Sequence, residues 1–146
     1  MRPLLLGEAF SRDGVDLVPI NGIIGRRLSE WAGFDIHEEF DCANLFANRV
    51  DAEPWAWRKA RERWEEIRDE MTTDRALAVL LGRKVQLAVT RGKREYHRRH
   101  AVDDIARLTV VTIPHPSGRN LLLNDHAERE RCGKTLRAAA EGRLSR

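Results

Sequence analysis

Apolar residues fall along this chain in two alternating patterns, unbroken runs and stripes at helical spacing. Leu4-Leu5-Leu6 stops at Gly7, as a strand covered on both faces does. Ile23, Ile24, Leu28, Trp31 and Ala32 then recur at helical spacing, with Gly33 placed to cap the helix. Phe40 to Phe46 predicts a second strand, interrupted by Asp41 and Asn44, polar residues that need partners or a ligand there. After Pro54 the pattern changes: Trp57, Ala60, Trp64, Ile67 and Met71 are spaced alternately by three and four, with Arg and Glu between them, which predicts an amphipathic helix. Ala76 to Leu81, closed by Gly82, predicts a third strand, and Val85, Leu87, Ala88 and Val89 the short helix behind it. Leu108 to Ile113 predicts the fourth strand, and the composition from Asn124 onward a last helix. Each strand-to-strand connection is long enough for a crossover. The expected fold is therefore α/β, a three-layer α/β/α arrangement around a four-stranded parallel sheet.

Length and composition narrow this further. At 146 residues, with no internal repeat, residues 1–146 are expected to form one domain. Cys42 and Cys132 lie too far apart for a C-x-x-C pair, so no cysteine-ligated metal centre and a reducing, cytoplasmic setting are expected. Pro3 to Leu6 is too short for a signal-peptide core or a membrane span. The balance of 26 Lys and Arg against 23 Asp and Glu says little about partners. Its distribution says more: residues 91 to 100 carry five cations and two histidines around Tyr96 and one acid, and residues 119 to 146 add seven cations against four anions. A solvated loop and an ordinary helix face explain these charges; so does a surface that contacts phosphates.

The densest candidate chemistry lies in Val111-Thr112-Ile113-Pro114-His115-Pro116-Ser117-Gly118-Arg119-Asn120. A β-branched run stops at a histidine bracketed by prolines, so an imidazole is held at the carboxyl end of a strand, where open α/β sheets place ligands. Glu8 follows the first strand and Asn44 ends the second, so a parallel sheet carries all three polar groups to one edge. Singly, each has a plain structural role available. Glu8 and Asp13 suit loop carboxylates, Asn44 a self-capping turn, His115 a satisfied structural histidine, and Ser117 to Asn120 a turn and helix cap.

Together these segments resemble the uracil-DNA glycosylase superfamily. Leu4-Leu5-Leu6-Gly7-Glu8-Ala9 is similar to the first motif of its iron–sulfur branch, and Asn21-Gly22-Ile23-Ile24-Gly25-Arg26-Arg27-Leu28 to the Gly-Arg-x-x-Leu segment that follows it. Asn44 falls where that branch has its base-reading asparagine. His115-Pro116-Ser117 is close to the His-Pro-Ser motif, and the Arg119-Asn120 ending resembles the single-strand-selective branch. The four cluster cysteines of the iron–sulfur branch have no counterparts here, so no cluster, metal or other cofactor is expected.

The resemblance implies a glycosylase-like fold and a hydrolase that flips a uracil or modified pyrimidine out of single- or double-stranded DNA and cuts its N-glycosidic bond. His115 would stabilise charge developing on the departing base. Glu8, or Asp13, would direct water and offset the positive sugar. Asn44 would read the base edge, Phe10 or Phe46 would stack on the base, and Ser117, Gly118, Arg119 and Asn120 would contact the DNA. The alternative is a non-catalytic base- or nucleotide-binding protein that keeps the pocket without the hydrolysis.

Overall fold

The computed structural model describes residues 2–9, 19–20, 22–46, 55–71, 76–102, 105–116 and 121–142. Within them the chain runs β1 (Leu4–Ala9), α1 (Gly22–Ala32), a one-turn α2 (Ile36–Glu39), β2 (Asp41–Phe46), α3 (Trp57–Glu70), β3 (Ala76–Leu81), α4 (Arg83–Thr90), β4 (Arg99–Val102), β5 (Ile105–Ile113), a 3-10 turn (Leu121–Asn124) and α5 (His126–Ala140). The sheet order is β2-β1-β3-β5-β4. β1, β2, β3 and β5 are parallel, and β4 joins the edge antiparallel to β5.

The sheet thus has five strands and is mixed, which corrects the expected four-stranded parallel sheet. The extra strand lies in the basic segment, where no apolar run marks it. Arg99 and Ala101 are exposed and only Val102 of this strand is buried, so β4 forms through backbone pairing with β5 rather than through its side chains. Exposed charge on an edge strand also discourages further pairing. Like β4, α2 has no apolar stripe to mark it, Ile36 being its buried residue; it is fixed by Asp35, whose carboxylate accepts from the His37 N–H at 2.9 Å.

Alternation along the central strands sorts the core into two layers. Leu5, Leu77, Val79, Leu81, Val111 and Ile113 face Leu28 and Ala32 of α1, Ile36 of α2 and Leu136 of α5. Leu6, Ala78, Leu80, Leu108 and Val110 face Ala60, Trp64 and Ile67 of α3 and Val85 and Val89 of α4. An unbroken apolar run is what a strand needs when both faces are covered. Among the described residues, no helix is long and apolar enough to cross a membrane.

Candidate functional site

From β1 the chain crosses to β2 on one side, and the next crossover returns it to β3 on the other. Connections therefore diverge at the carboxyl ends of β1 and β3, the switch point at which open α/β sheets leave a crevice. Gly7 and Glu8 end β1, Asn44 lies near the end of β2, Gly82 follows β3, and His115 follows β5.

Asn44 is the best-defined group at this edge. It pairs in register with Gly7, and a Cβ on Gly7 would sit 2.6 Å from its Oδ1, so the amide lies over backbone that only glycine leaves bare. Ile20 closes the same spot: its Cγ1 would be 3.3 Å from that Cβ. Ile20 itself holds φ 59, a conformation strained for a β-branched residue, while the neighbouring Pro19 carbonyl accepts from His37 Nε2 at 2.9 Å. Asn44 is 7% exposed, and its buried Nδ2 has no hydrogen-bond partner among the described residues. An unmet buried donor costs about 1–3 kcal/mol.

His115 is half-buried between two buried prolines. Gly82, at φ 91, allows it to approach: a Cβ there would come within 2.9 Å of the His115 Cβ. The Gly82 N–H extends the ladder to Ile113 O at 2.9 Å, and Arg27 of α1 donates to Pro116 O at 3.2 Å. Glu8 is half-buried. By the strand pleat it leaves β1 on the Leu6 side, the face opposite Gly7 and Asn44. Phe46 is 6% exposed and packs edge-on against Trp55, with ring centroids 5.1 Å apart. Phe10, Asp13, Ser117, Gly118, Arg119 and Asn120 lie outside the described residues.

Three crossover helices start at this edge, because each runs back against the parallel strands. None of α1, α3 and α4 has an acid in its first turn. Instead α3 opens with Arg58, Lys59 and Arg61, α4 with Arg83 and Lys84, and the second turn of α1 carries Arg26 and Arg27. Four of the five acids of α3 lie in its second half, Glu65, Glu66, Asp69 and Glu70; the fifth, Glu62, pairs with Arg58 at 3.2 Å and leaves Lys59 and Arg61 to face the edge. This reverses the arrangement that the helix dipole favours, so the cations and the helix N-termini add to one positive field at the strand ends.

The basic 91–98 segment folds back to the same edge. Gln86, an interruption in the apolar face of α4, is fully buried and organises it: its Nε2 donates to Arg94 O at 3.0 Å and Thr112 Oγ1 at 2.9 Å, and its Oε1 accepts from Arg94 N–H at 3.1 Å and from Arg83. Arg83 also lies over the Tyr96 ring, 4.3 Å from its centroid. His97, at φ 63, donates its backbone N–H to Thr112 O at 2.8 Å. Its ring bridges Thr135 Oγ1 at 2.8 Å and Glu128 Oε1 at 2.6 Å on α5. The sequence offered one hint of this clamp, a glutamine inside Val85-Gln86-Leu87-Ala88-Val89. His97 and Glu128 are 31 residues apart and gave none.

His97, Glu128 and Cys132 offer ligand atoms within 4.8 Å of one another. The nitrogen and carboxylate oxygen are already in direct hydrogen-bond contact, whereas two ligands on a shared tetrahedral zinc would stand about 3.3 Å apart. As built, the group is a hydrogen-bonded clamp. His97→Ala would remove the partner of Thr135 Oγ1 and of Glu128 Oε1, leaving Glu128 its bond from Arg131 at 3.3 Å. It is expected to lower unfolding free energy by about 1–3 kcal/mol in urea titrations and to speed amide exchange at Arg94 and His97.

Burial pushes the Cys132 thiol up to about 12, helped by the Glu128 carboxylate; burial, then Asp41, does the same to Cys42. Both thiols stay protonated in the folded protein after their unfolded counterparts, near 9.0, have ionised. Their contribution to stability is complete below pH 9 and is lost as pH rises towards 12. Urea midpoints should therefore fall between pH 9 and 11, and less so in a Cys42→Ala/Cys132→Ala variant. An equal fall in both proteins would exclude the thiols as its cause.

No family model matches this chain, and a search of curated proteins finds no match to it.

Proposed function

We propose that this protein is a DNA glycosylase-like hydrolase, built on a fold of the uracil-DNA glycosylase type, that binds a flipped-out uracil or modified pyrimidine and cleaves its N-glycosidic bond. The observation that carries the reading is Asn44, a buried amide with an unmet donor, fixed over Gly7 at the switch point of the sheet. Its Nδ2 suits the O4 carbonyl of uracil and its Oδ1 the N3–H, while the amino group of cytosine would meet a second donor. The positive field of α1, α3 and α4 supports a polyanionic substrate. The resemblance of the Gly7-Glu8-Ala9 and His115-Pro116-Ser117 segments to glycosylase motifs supplies the reaction.

Loss of the base leaves negative charge on its O2 and positive charge on the sugar. His115 supplies the donor for the first, and Glu8 or Asp13 the carboxylate that offsets the second and positions water. Phe10 stacks on the base. Ser117, Gly118, Arg119 and Asn120 hold the flanking backbone. One observation favours the non-catalytic alternative: Glu8 leaves β1 on the face opposite Asn44, so a base seated on the amide has no carboxylate from β1 on its own side.

The test is incubation with single- and double-stranded oligonucleotides containing uracil, hydroxymethyluracil or hypoxanthine, followed by alkaline cleavage at abasic sites. Strand breaks are expected with uracil or a modified pyrimidine, reduced roughly 10²–10³-fold in His115→Ala, the usual loss for one such donor, and lowered in Glu8→Ala. Uracil-dependent binding without breaks would establish the non-catalytic alternative. Equal affinity for modified and unmodified strands would overturn both.

A further inference from the structure

A second feature of the same edge is not used by that site. Trp55 precedes α3 and Trp57 begins it, with ring centroids 5.6 Å apart in an edge-to-face pair, and Phe46 backs Trp55 from the end of β2. Trp57 is 38% exposed, one of only two large hydrophobic residues so exposed among the described residues. Arg61, one turn along α3, lies 5.9 Å from the Trp57 ring centroid, and Lys84 of α4 lies 5.5 Å from that of Trp55. The acids of α3 engage other cations, Glu62 with Arg58, Glu66 with Arg63 and Glu65 with Arg91. Among the described residues, Arg61 and Lys84 thus have aromatic faces rather than carboxylates as their partners.

Core packing accounts for Trp64, which is 3% exposed, but not for Trp57. Its indole sits at the N-terminus of a helix whose first turn is cationic against the dipole, next to a second aromatic ring, with Arg61 against its own face and Lys84 against that of Trp55. Stacking surface together with backbone-neutralising charge is the combination that recognises single-stranded nucleic acid, because every base has a π-face and every nucleotide a phosphate. Trp and Arg anchor protein interfaces as well; the positive field that the α1, α3 and α4 N-termini add at this edge favours a polyanion, and a duplex hides its base faces.

We infer that Trp57, backed by Trp55, with Arg61 against the first ring and Lys84 against the second, is a stacking platform for an unpaired base of a DNA strand lying across the carboxyl edge of the sheet. The choice of DNA rests on the proposed glycosylase reading; the stacking and the charge do not. Trp57 holds a base neighbouring the one presented to Asn44, and Arg61 and Lys84 neutralise the phosphates on either side. The platform keeps the strand open after extraction, which gives the protein a preference for single-stranded or locally melted substrate.

The experiment measures anisotropy of a labelled, unmodified single strand of twelve nucleotides, titrated with the full chain over a range of salt concentrations. Trp57→Ala is expected to weaken binding on the order of tenfold without changing the salt slope, and Trp57→Phe to restore most of the affinity. Lys84→Ala is expected to reduce the slope by about 0.7, one phosphate contact. Binding of the blunt duplex is expected to change less in Trp57→Ala than binding of the single strand. Wild-type affinity for single strands in Trp57→Ala, with an unchanged melting profile, would overturn the platform. Asn44→Leu separates the two claims. Loss of uracil preference in that variant together with an inert Trp57→Ala removes the platform alone; unaltered base preference in Asn44→Leu together with a weakened Trp57→Ala removes the glycosylase reading alone.

Discussion

Gly133→Ala is expected to destabilise the protein by about 3 kcal/mol, towards the upper end for an overpacked core, although in an isolated helix the same change is worth about 1 kcal/mol in the opposite direction. The reversal comes from the approach of α5 to α1. A Cβ at Gly133 would stand 2.1 Å from the Trp31 carbonyl oxygen and 2.9 Å from its carbon. These are backbone atoms and cannot rotate away. Arg137 holds the helices at this separation, its Nη1 donating to Trp31 O at 3.1 Å and Ala32 O at 3.2 Å. Those carbonyls lie in the last turn of α1, where intrahelical partners run out. Forcing the helices apart breaks both bonds and loosens Leu28, Ala32, Cys132 and Leu136, all at most 2% exposed. Thermal unfolding followed by circular dichroism would show the loss as a fall in Tm of several degrees or more. Lys134→Ala, on the exposed face beside it, should leave Tm nearly unchanged. A Tm for Gly133→Ala equal to wild type would mean that the helices are not packed this closely.

Asn44→Leu should have the opposite stability effect and a larger functional one. Leucine has nearly the same shape as asparagine and carries no unmet donor, so it relieves a desolvation cost that nothing among the described residues offsets. Stability is expected to rise by roughly 1 kcal/mol, and discrimination between uracil-containing and ordinary strands to vanish. A polar residue kept for structure behaves differently: its removal costs stability. Gln86 is the internal comparison, since it is as deeply buried and bonded through both ends of its amide. Gln86→Leu should destabilise the protein and free the 91–98 segment. If Asn44→Leu were instead destabilising by a similar amount, Asn44 would be a structural residue and the base-reading role would fall.

Much of this fold is legible in the chain's own apolar pattern. Leu5, Val79 and Val111 sit in runs that leave few options for a short buried strand, and the stripe Ala60, Trp64, Ile67 makes α3 from spacing alone. The four parallel strands and the main helices were legible for that reason. β4 was not, because backbone pairing to β5 leaves no mark on side chains that face solvent. Asn44 and His115 could be assigned to one sheet edge from the order of the strands. The face on which each emerges could not be assigned, and that is what separates Glu8 from Asn44.

The sequence by itself determined the elements whose formation is paid for by their own periodic burial, together with the glycines and prolines that end them at the carboxyl edge. Only the tertiary structure decided which groups at that edge find partners. Gln86 is satisfied by Arg94 and Thr112, His97 by Glu128 and Thr135, and Asn44 Nδ2 by nothing among the described residues. The physical reason is range. Hydrophobic burial is non-directional and repeats locally along the chain, whereas a hydrogen bond requires two particular atoms within about 3 Å, and only the folded chain brings residues tens of positions apart that close.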